Sequence, residues 1–331
     1  METKSVTYRE VLRWNDDQAL DFIERRRWPN GPICPKCGTT REPYSIRRKV
    51  KETSKNKISR LYRCKDCKKD FTATVGTIFE GSHIPLSTWL AAIFDIVQSK
   101  KGISAHQLHR RHGITYKSAL FMAHRIRLAM GNGSFEKLSG VVEADVTYVG
   151  GKTRRGHPIV HERTRDEIEM GWRKPSITPG QPHPRTKKTV VLGAVERGGR
   201  VRTQVVKTES AAEVRPILAE NVDLPNTHLM TDKAGAYRRI KDFGRHDVIN
   251  HEIEYVRGDI HTQTIEGYWS LLKRGIVGTF HHVSPHRLPM YLNEFEYRWN
   301  ERHVSDGERF EALLGQMQGR LRWNFRQDSQ D

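Results

Sequence analysis

The sequence predicts a multidomain α+β protein built from three consecutive parts. Three observations predict it: two closely spaced cysteine pairs near the N-terminus, a run of helical periodicity in the middle, and an alternation of strand and helix patterns through the second half. At 331 residues the chain exceeds the size at which one hydrophobic core usually stops growing. The formal charge is +18, from 57 Lys+Arg against 39 Asp+Glu, which points to a polyanionic partner and foremost to nucleic acid. No apolar run reaches the length of a spanning helix, and METKSVTYREVLRW lacks the apolar core of a signal peptide. A cytoplasmic, nucleoid-associated protein with no membrane partner is expected.

Thr7 to Arg27 carries Val11, Leu12, Leu20, Phe22 and Ile23 at helical spacing and predicts a short helix that ends at Pro29-Asn30-Gly31. The four cysteines follow as CPKC (Cys34, Cys37) and CKDC (Cys64, Cys67), with 26 residues between the pairs, Gly38 to Arg63. In a reducing compartment this spacing matches a four-thiolate zinc site, each pair supplying two ligands from a tight turn. Four cysteines close the coordination sphere, so the metal is structural. It folds a segment too polar to build a core, here with a β-hairpin and solvated loop between the pairs. The module spans residues 1–80.

From Leu86 three helices fit before Gly131-Asn132-Gly133, the predicted boundary of a second domain, 81–133. Ser104 to His112, the turn Gly113-Ile114-Thr115 and Tyr116 to Met130 read as a helix-turn-helix with Thr115 as N-cap. Its second helix is expected to turn Tyr116, Lys117, Ser118 and Arg125 toward a DNA groove; the competing reading is a helical hairpin with a solvated basic face.

The third domain, 134–315, opens on VVEADVTYV, a half-buried strand with Val142, Ala144, Val146 and Tyr148 on one face and Glu143, Asp145 and Thr147 on the other. A basic Gly/Pro-rich insertion, 150–188, predicts a mobile loop that orders on DNA. TVVLGAVE and VRTQVVK around Gly198-Gly199 form a hairpin, Ser210 caps a helix through Glu220, His228 to Thr231 and His246 to Ile249 are strands, and Ala234 to Phe243 is a helix. The last long helix starts near Gln263 with Ile265, Trp269, Leu272 and Ile276 as its apolar stripe. The order βββαβαβα predicts one mixed sheet. EFEYRWNER is an amphipathic helix with Phe295 and Trp299 in the core, and 316–331 is a frayed tail.

This order brings Asp145, Asp232 and Glu266 together, and such a cluster repels itself unless it binds cations. Two Mg²⁺ (or Mn²⁺) ions on shared carboxylates are the usual solution for phosphodiester chemistry. Lys273 lies two turns from Glu266 on the same helix face, within reach of a phosphate. Glu143 is the alternative to Asp145, Asp232 is alternatively a helix cap, and Gln263 is a cap or a neutral ligand. His281-His282 reads as a helix cap or a DNA contact.

CPKCG, YRCKDCKKDFTATVGTIFEGSHIPLSTWL, VVEADVTYVGGK, TDKAGAY, HTQTIEGYWSLLKRGIVGTFHHVS and YLNEFEYRWNER, in this order, resemble bacterial insertion-sequence transposases with an N-terminal zinc ribbon and an ISXO-like DDE domain. The resemblance runs from Ile33 to Arg302. It implies a ribonuclease-H-like catalytic domain that binds terminal inverted repeats of double-stranded DNA and cleaves and joins strands without a covalent protein intermediate. A homodimer or larger assembly pairs the ends. The family's acidic positions fall on Asp145, Asp232 and Glu266, with the accompanying lysine at Lys273. Two departures stand out: Asp145-Val146 where relatives have Asp-Glu, and Gln263 where they have Asn, which leaves Gln263 and Glu266 both open as third ligand. The competing functions are a DNA-binding regulator using only the zinc ribbon and helix-turn-helix, and a nuclease without joining activity.

Overall fold

The computed structural model describes residues 5–49, 58–133, 136–150, 188–232, 237, 243–249, 256 and 258–319. The basic insertion, most of the expected helix at 234–243 and the end of the tail lie outside the described residues. No helix among the described residues is long and apolar enough to cross a membrane.

The N-terminal stretch forms two helices where one was expected, α1 (Tyr8–Val11) and α2 (Asp16–Arg27). The division is a capping effect. Thr7 with Glu10, and Asn15 with Gln18, each form a reciprocal capping box, so a second helix starts at Asn15. Three short antiparallel strands follow, β1 (Tyr44–Arg47), β2 (Arg60–Arg63) and β3 (Asp70–Phe71). Then come α3 (Leu86–Gln98), α4 (Ala105–His112) and α5 (Tyr116–Met130). Gly113 is left-handed at φ 64°, where glycine carries no Cβ penalty, and Thr115 caps α5 by accepting from Ser118 N.

No boundary separates the strands from the helices at residue 80. Trp28, Tyr62 and Phe71 form an aromatic cluster with ring centroids 5.5 to 5.9 Å apart, and this cluster is continuous with Trp89, Leu90, Ile93 and Ile126 in one core. The ribbon's polar exterior hid this, because its inward side chains, among them Tyr62, Phe71, Ile78 and Phe79, are scattered among exposed polar residues. The last helix, α9 (Asp306–Gly315), corrects the other boundary: Phe310, Leu313 and Leu314 complete the N-terminal core rather than the C-terminal domain. Beyond it Thr77 bridges Gln318.

The second core surrounds a five-stranded sheet of β4 (Leu138–Val149), β5 (Thr189–Glu196), β6 (Val201–Val206), β7 (Val222–Asp232) and β8 (Arg245–Ile249). The order is β6-β5-β4-β7-β8, with β4, β5 and β6 antiparallel and β7 and β8 parallel to β4. Helix α6 (Ala211–Asn221) covers one face. Helices α7 (Gln263–Gly275) and α8 (Leu288–Asn300) cover the other. The alternation expected for β4 holds, but the strand is buried on both faces: Val142 and Ala144 enter the α6 side while Glu143 and Thr147 are buried under α7. Its central position in the sheet explains this.

Helices α5 and α8 tie the two cores together. Arg127 Nε donates to Glu294 Oε2 at 2.5 Å, Arg298 pairs with the other Glu294 oxygen, and the Arg127 guanidinium lies 4.0 Å from the Tyr291 ring centroid. Glu294 is fully buried, so each arginine offsets the desolvation of its carboxylate.

Candidate active site and metal centre

The cysteines converge as their spacing implies. Cys34 Sγ lies 3.8 Å from Cys67 Sγ, and Cys37 Sγ 3.6 Å from Cys64 Sγ, with all four sulfurs within 4.8 Å of one another. A tetrahedron with metal–sulfur bonds of about 2.3 Å has edges of about 3.8 Å, so this donor set fits zinc. The two turns are alike: Cys34 N donates to Thr39 O and Cys64 N to Lys69 O, and Gly38 and Lys68 take positive φ of 75° and 57° just after each second cysteine. Thiolates held this way need a cation to offset their mutual repulsion.

The carboxylate site follows from sheet register. Ala144 pairs with Thr231 across the parallel β4–β7 ladder, so Asp145 and Asp232 sit one step further on adjacent strands and share a face. On the other side Asp145 pairs with Gly193. A Cβ at Gly193 would lie 2.5 Å from Trp269 Cη2; its absence lets the indole approach the sheet backbone, and Trp269 Nε1 donates to Asp145 Oδ2 at 2.9 Å. Burial raises the Asp145 pKa to about 6, and the charges of Asp232 and Glu266 add to that rise against the Val146 and Trp269 donors. Both named donors are neutral, so Asp145 retains its negative field. Asp232 and Glu266 are thus both near enough for their charges to act on Asp145.

Glu143, the alternative to Asp145, has another task. It is fully buried and accepts from Thr264 N at 2.7 Å, Ile265 N at 3.1 Å and Thr264 Oγ1 at 2.9 Å, capping α7 from a neighbouring strand. Arg197 Nε donates to it at 2.7 Å, while the other Arg197 nitrogens hold the Asp259 and His261 carbonyls of the segment leading into α7. This network sets where Glu266 stands. Glu266 itself is exposed and accepts from Thr262 Oγ1 at 3.0 Å, and Lys273 is exposed on the same helix. Gln263 is exposed in the first turn.

Tyr237 is 1% exposed, its hydroxyl has no hydrogen-bond partner among the described residues, and burial with the charges of Asp145, Asp232 and Glu209 raises its pKa well above the usual tyrosine value. The sequence offered one signal for it, its place five residues after Asp232 in TDKAGAY. Gly193 and Arg197 gave none, because each acts through a partner distant in sequence.

On α5, Tyr116 is 42% exposed and stacks on His106 with centroids 4.2 Å apart, and Lys117 is exposed. Ser118 is half-buried, with its hydroxyl accepting from Thr115 Oγ1 at 2.9 Å within the helix cap. Arg125 corrects the expectation of a groove contact. It is 4% exposed and donates to Ile78 O at 2.7 Å and Glu80 O at 2.9 Å. Nine residues at about 100° each place it on the side of the helix opposite Tyr116. His281 reads as the cap: its Nδ1 lies 3.2 Å from Val277 O.

Residues 14–70 match the transposase zinc-ribbon domain and residues 137–300 the ISXO2-like transposase domain. An uncharacterized protein in transposable element ISH50 of Halobacterium salinarum is 29% identical over 291 residues, covering 86% of this chain and 90% of that protein. A chain of a pre-cleavage Mos1 transpososome crystal structure aligns at 13% identity over 66% of this chain and 78% of that chain, with a TM-score of 0.20, too low to bear on the fold. The zinc-ribbon and catalytic-domain matches occur in sequence order, each over the residues that carry its cysteines or its acids, and the chain belongs to the ISXO2-like transposases.

Proposed function

We propose that the chain is an insertion-sequence DNA transposase that binds terminal inverted repeats through its N-terminal unit and cleaves and joins strands at Asp145, Asp232 and Glu266. The observation that carries this reading is that Asp145 and Asp232 stand at the same register level on adjacent parallel strands, with Glu266 within electrostatic reach of Asp145. The strand order 3-2-1-4-5 of the sheet, with its second strand antiparallel, supports a ribonuclease-H-like domain. Carboxylate oxygens are hard donors suited to Mg²⁺ or Mn²⁺. When bound there, the cations supply the positive charge that activates an attacking oxygen and stabilises a leaving one.

The protein's own groups prepare that site. Trp269 orients one Asp145 oxygen, Glu143 with Arg197 sets the start of α7, and Thr262 restrains Glu266. Lys273 on the exposed face of α7 holds a phosphate of the strand being cut. Helix α4, the Gly113 turn and α5 form the helix-turn-helix, with Tyr116 and Lys117 facing the groove. Double-stranded DNA is the partner, and two copies pair the two ends.

The test is magnesium-dependent cleavage and joining of a duplex carrying the element's ends, wild type beside Asp232→Asn. Joining that vanishes in the variant while binding persists supports the reading. Cleavage without joining of pre-cut ends makes the protein a nuclease, and binding without cleavage makes it a regulator.

A further inference from the structure

Between Glu266 and Glu294 the chain carries no acidic residue, yet it holds Lys273, Arg274, His281, His282, His286 and Arg287. Helix α7 does not simply end within this stretch. It widens into a π-helical turn, Ile276–Phe280, closed by His281 at φ 62°, a conformation few non-glycine residues adopt. The turn is held from beneath: Ile276 is 6% exposed, and the Phe280 ring packs edge-on against Tyr291 at 4.8 Å. At its crest Val277 is 69% exposed, the most exposed large apolar side chain among the described residues.

A second basic segment reaches this turn from the other core. A Cβ on Gly275 would lie 3.1 Å from Lys101 O, and one on Gly102, at φ 86°, would lie 2.5 Å from Phe280 Cζ. The loop carrying exposed Lys100 and Lys101 is therefore pressed against the turn, and only glycines permit the approach. Single exposed apolar residues are ordinary on protein surfaces. This one differs in standing on a supported turn that follows Lys273 and Arg274 in the chain and has the loop of Lys100 and Lys101 packed against its base. It also continues the exposed face of α7, where Glu266, Ser270, Lys273, Arg274 and Val277 follow at helical spacing.

We propose that this turn is a clamp for the DNA end, with Val277 against the sugar and base surface of a groove and Lys100, Lys101 and Arg274 on the flanking phosphates. The clamp rests on the transposase reading and adds to it a surface outside the carboxylate site. Eleven residues at about 1.5 Å each put Val277 about 16 Å along the helix from Glu266, or about five base pairs of duplex at 3.4 Å each. The clamp also joins the DNA-binding unit to the catalytic one, which makes the distance from the recognised sequence to the cut a property of the fold.

The test uses the full-length, zinc-loaded protein and a duplex carrying the element's end. Val277→Cys labelled with a photoactivatable aryl azide is expected to cross-link within about five base pairs of the cleaved phosphate. Lys100→Ala with Lys101→Ala is expected to lower the slope of log affinity against log salt by about 0.9 per lysine. Both variants alter exposed side chains, and unchanged thermal unfolding establishes that each is folded. If wild type cleaves the duplex while the label cross-links nowhere near the cut and the slope is unchanged, the clamp fails alone. If wild type neither binds nor cleaves, the transposase reading fails and takes the clamp with it.

Discussion

Glu143→Ala removes the carboxylate that links β4, the Arg197 turn and the start of α7. Glu143 is fully buried and receives two backbone N–H groups, one hydroxyl and the Arg197 guanidinium. Deleting one partner of a buried ion pair costs about 3–5 kcal/mol, and loss of a helix cap about 1 kcal/mol. Because the Arg197 side chain is 23% exposed, water recovers part of its solvation, and the total expected is about 3–4 kcal/mol. Glu143→Gln keeps an oxygen for the two N–H groups but turns its NH2 toward Arg197 Nε, losing the charge and that acceptor, so about 2–3 kcal/mol is expected. Guanidinium unfolding at pH 7.5 without magnesium measures both. Cleavage should fall in proportion to the loss of folded protein and recover in Glu143→Gln. A cost under 1 kcal/mol for the alanine would refute this account, and a stable Glu143→Gln protein that no longer responds to magnesium would make Glu143 a metal ligand instead.

Three further outcomes are expected. The folded pKa of Asp145, about 6, is raised above the free value of 3.8, so the folded chain holds a proton that the unfolded chain releases, and stability is lost as pH rises through that window. The shift corresponds to about 3 kcal/mol, so Asp145→Asn should stabilise the magnesium-free protein by up to that amount at pH 7.5 and by nothing near pH 4; a gain independent of pH would contradict it. Removing zinc, or Cys64→Ser, should melt α2 and α3 along with the ribbon, since Tyr62 and Phe71 share their core; helical circular dichroism that survives metal loss would show the parts to be independent. Arg125→Ala should cost about 2–3 kcal/mol of stability with DNA affinity unchanged in the folded protein, whereas Lys117→Ala should weaken binding at unchanged stability, and the reverse pattern would restore Arg125 to the DNA face.

Local rules carried much of the reading. The CPKC and CKDC turns, the Thr115 cap, the Gly198-Gly199 hairpin and the α7 stripe are each encoded within a few residues, so period, spacing and cap chemistry suffice to find them. Strand patterning likewise put Asp145 inside β4 and Asp232 just after His228 to Thr231, where it is the last residue of β7. What the tertiary structure alone decided is set by partners far apart in the chain. It turned Arg125 inward, because which side of a helix meets the core depends on Ile78 and Glu80, more than forty residues earlier. It tied Glu143 to the start of α7 and set Asp145 against the Trp269 indole, an arrangement made by the Arg197 turn and by the bare backbone of Gly193 under Trp269. It also returned α9 to the N-terminal core, since an amphipathic helix specifies that it has an apolar face but not which surface will cover it.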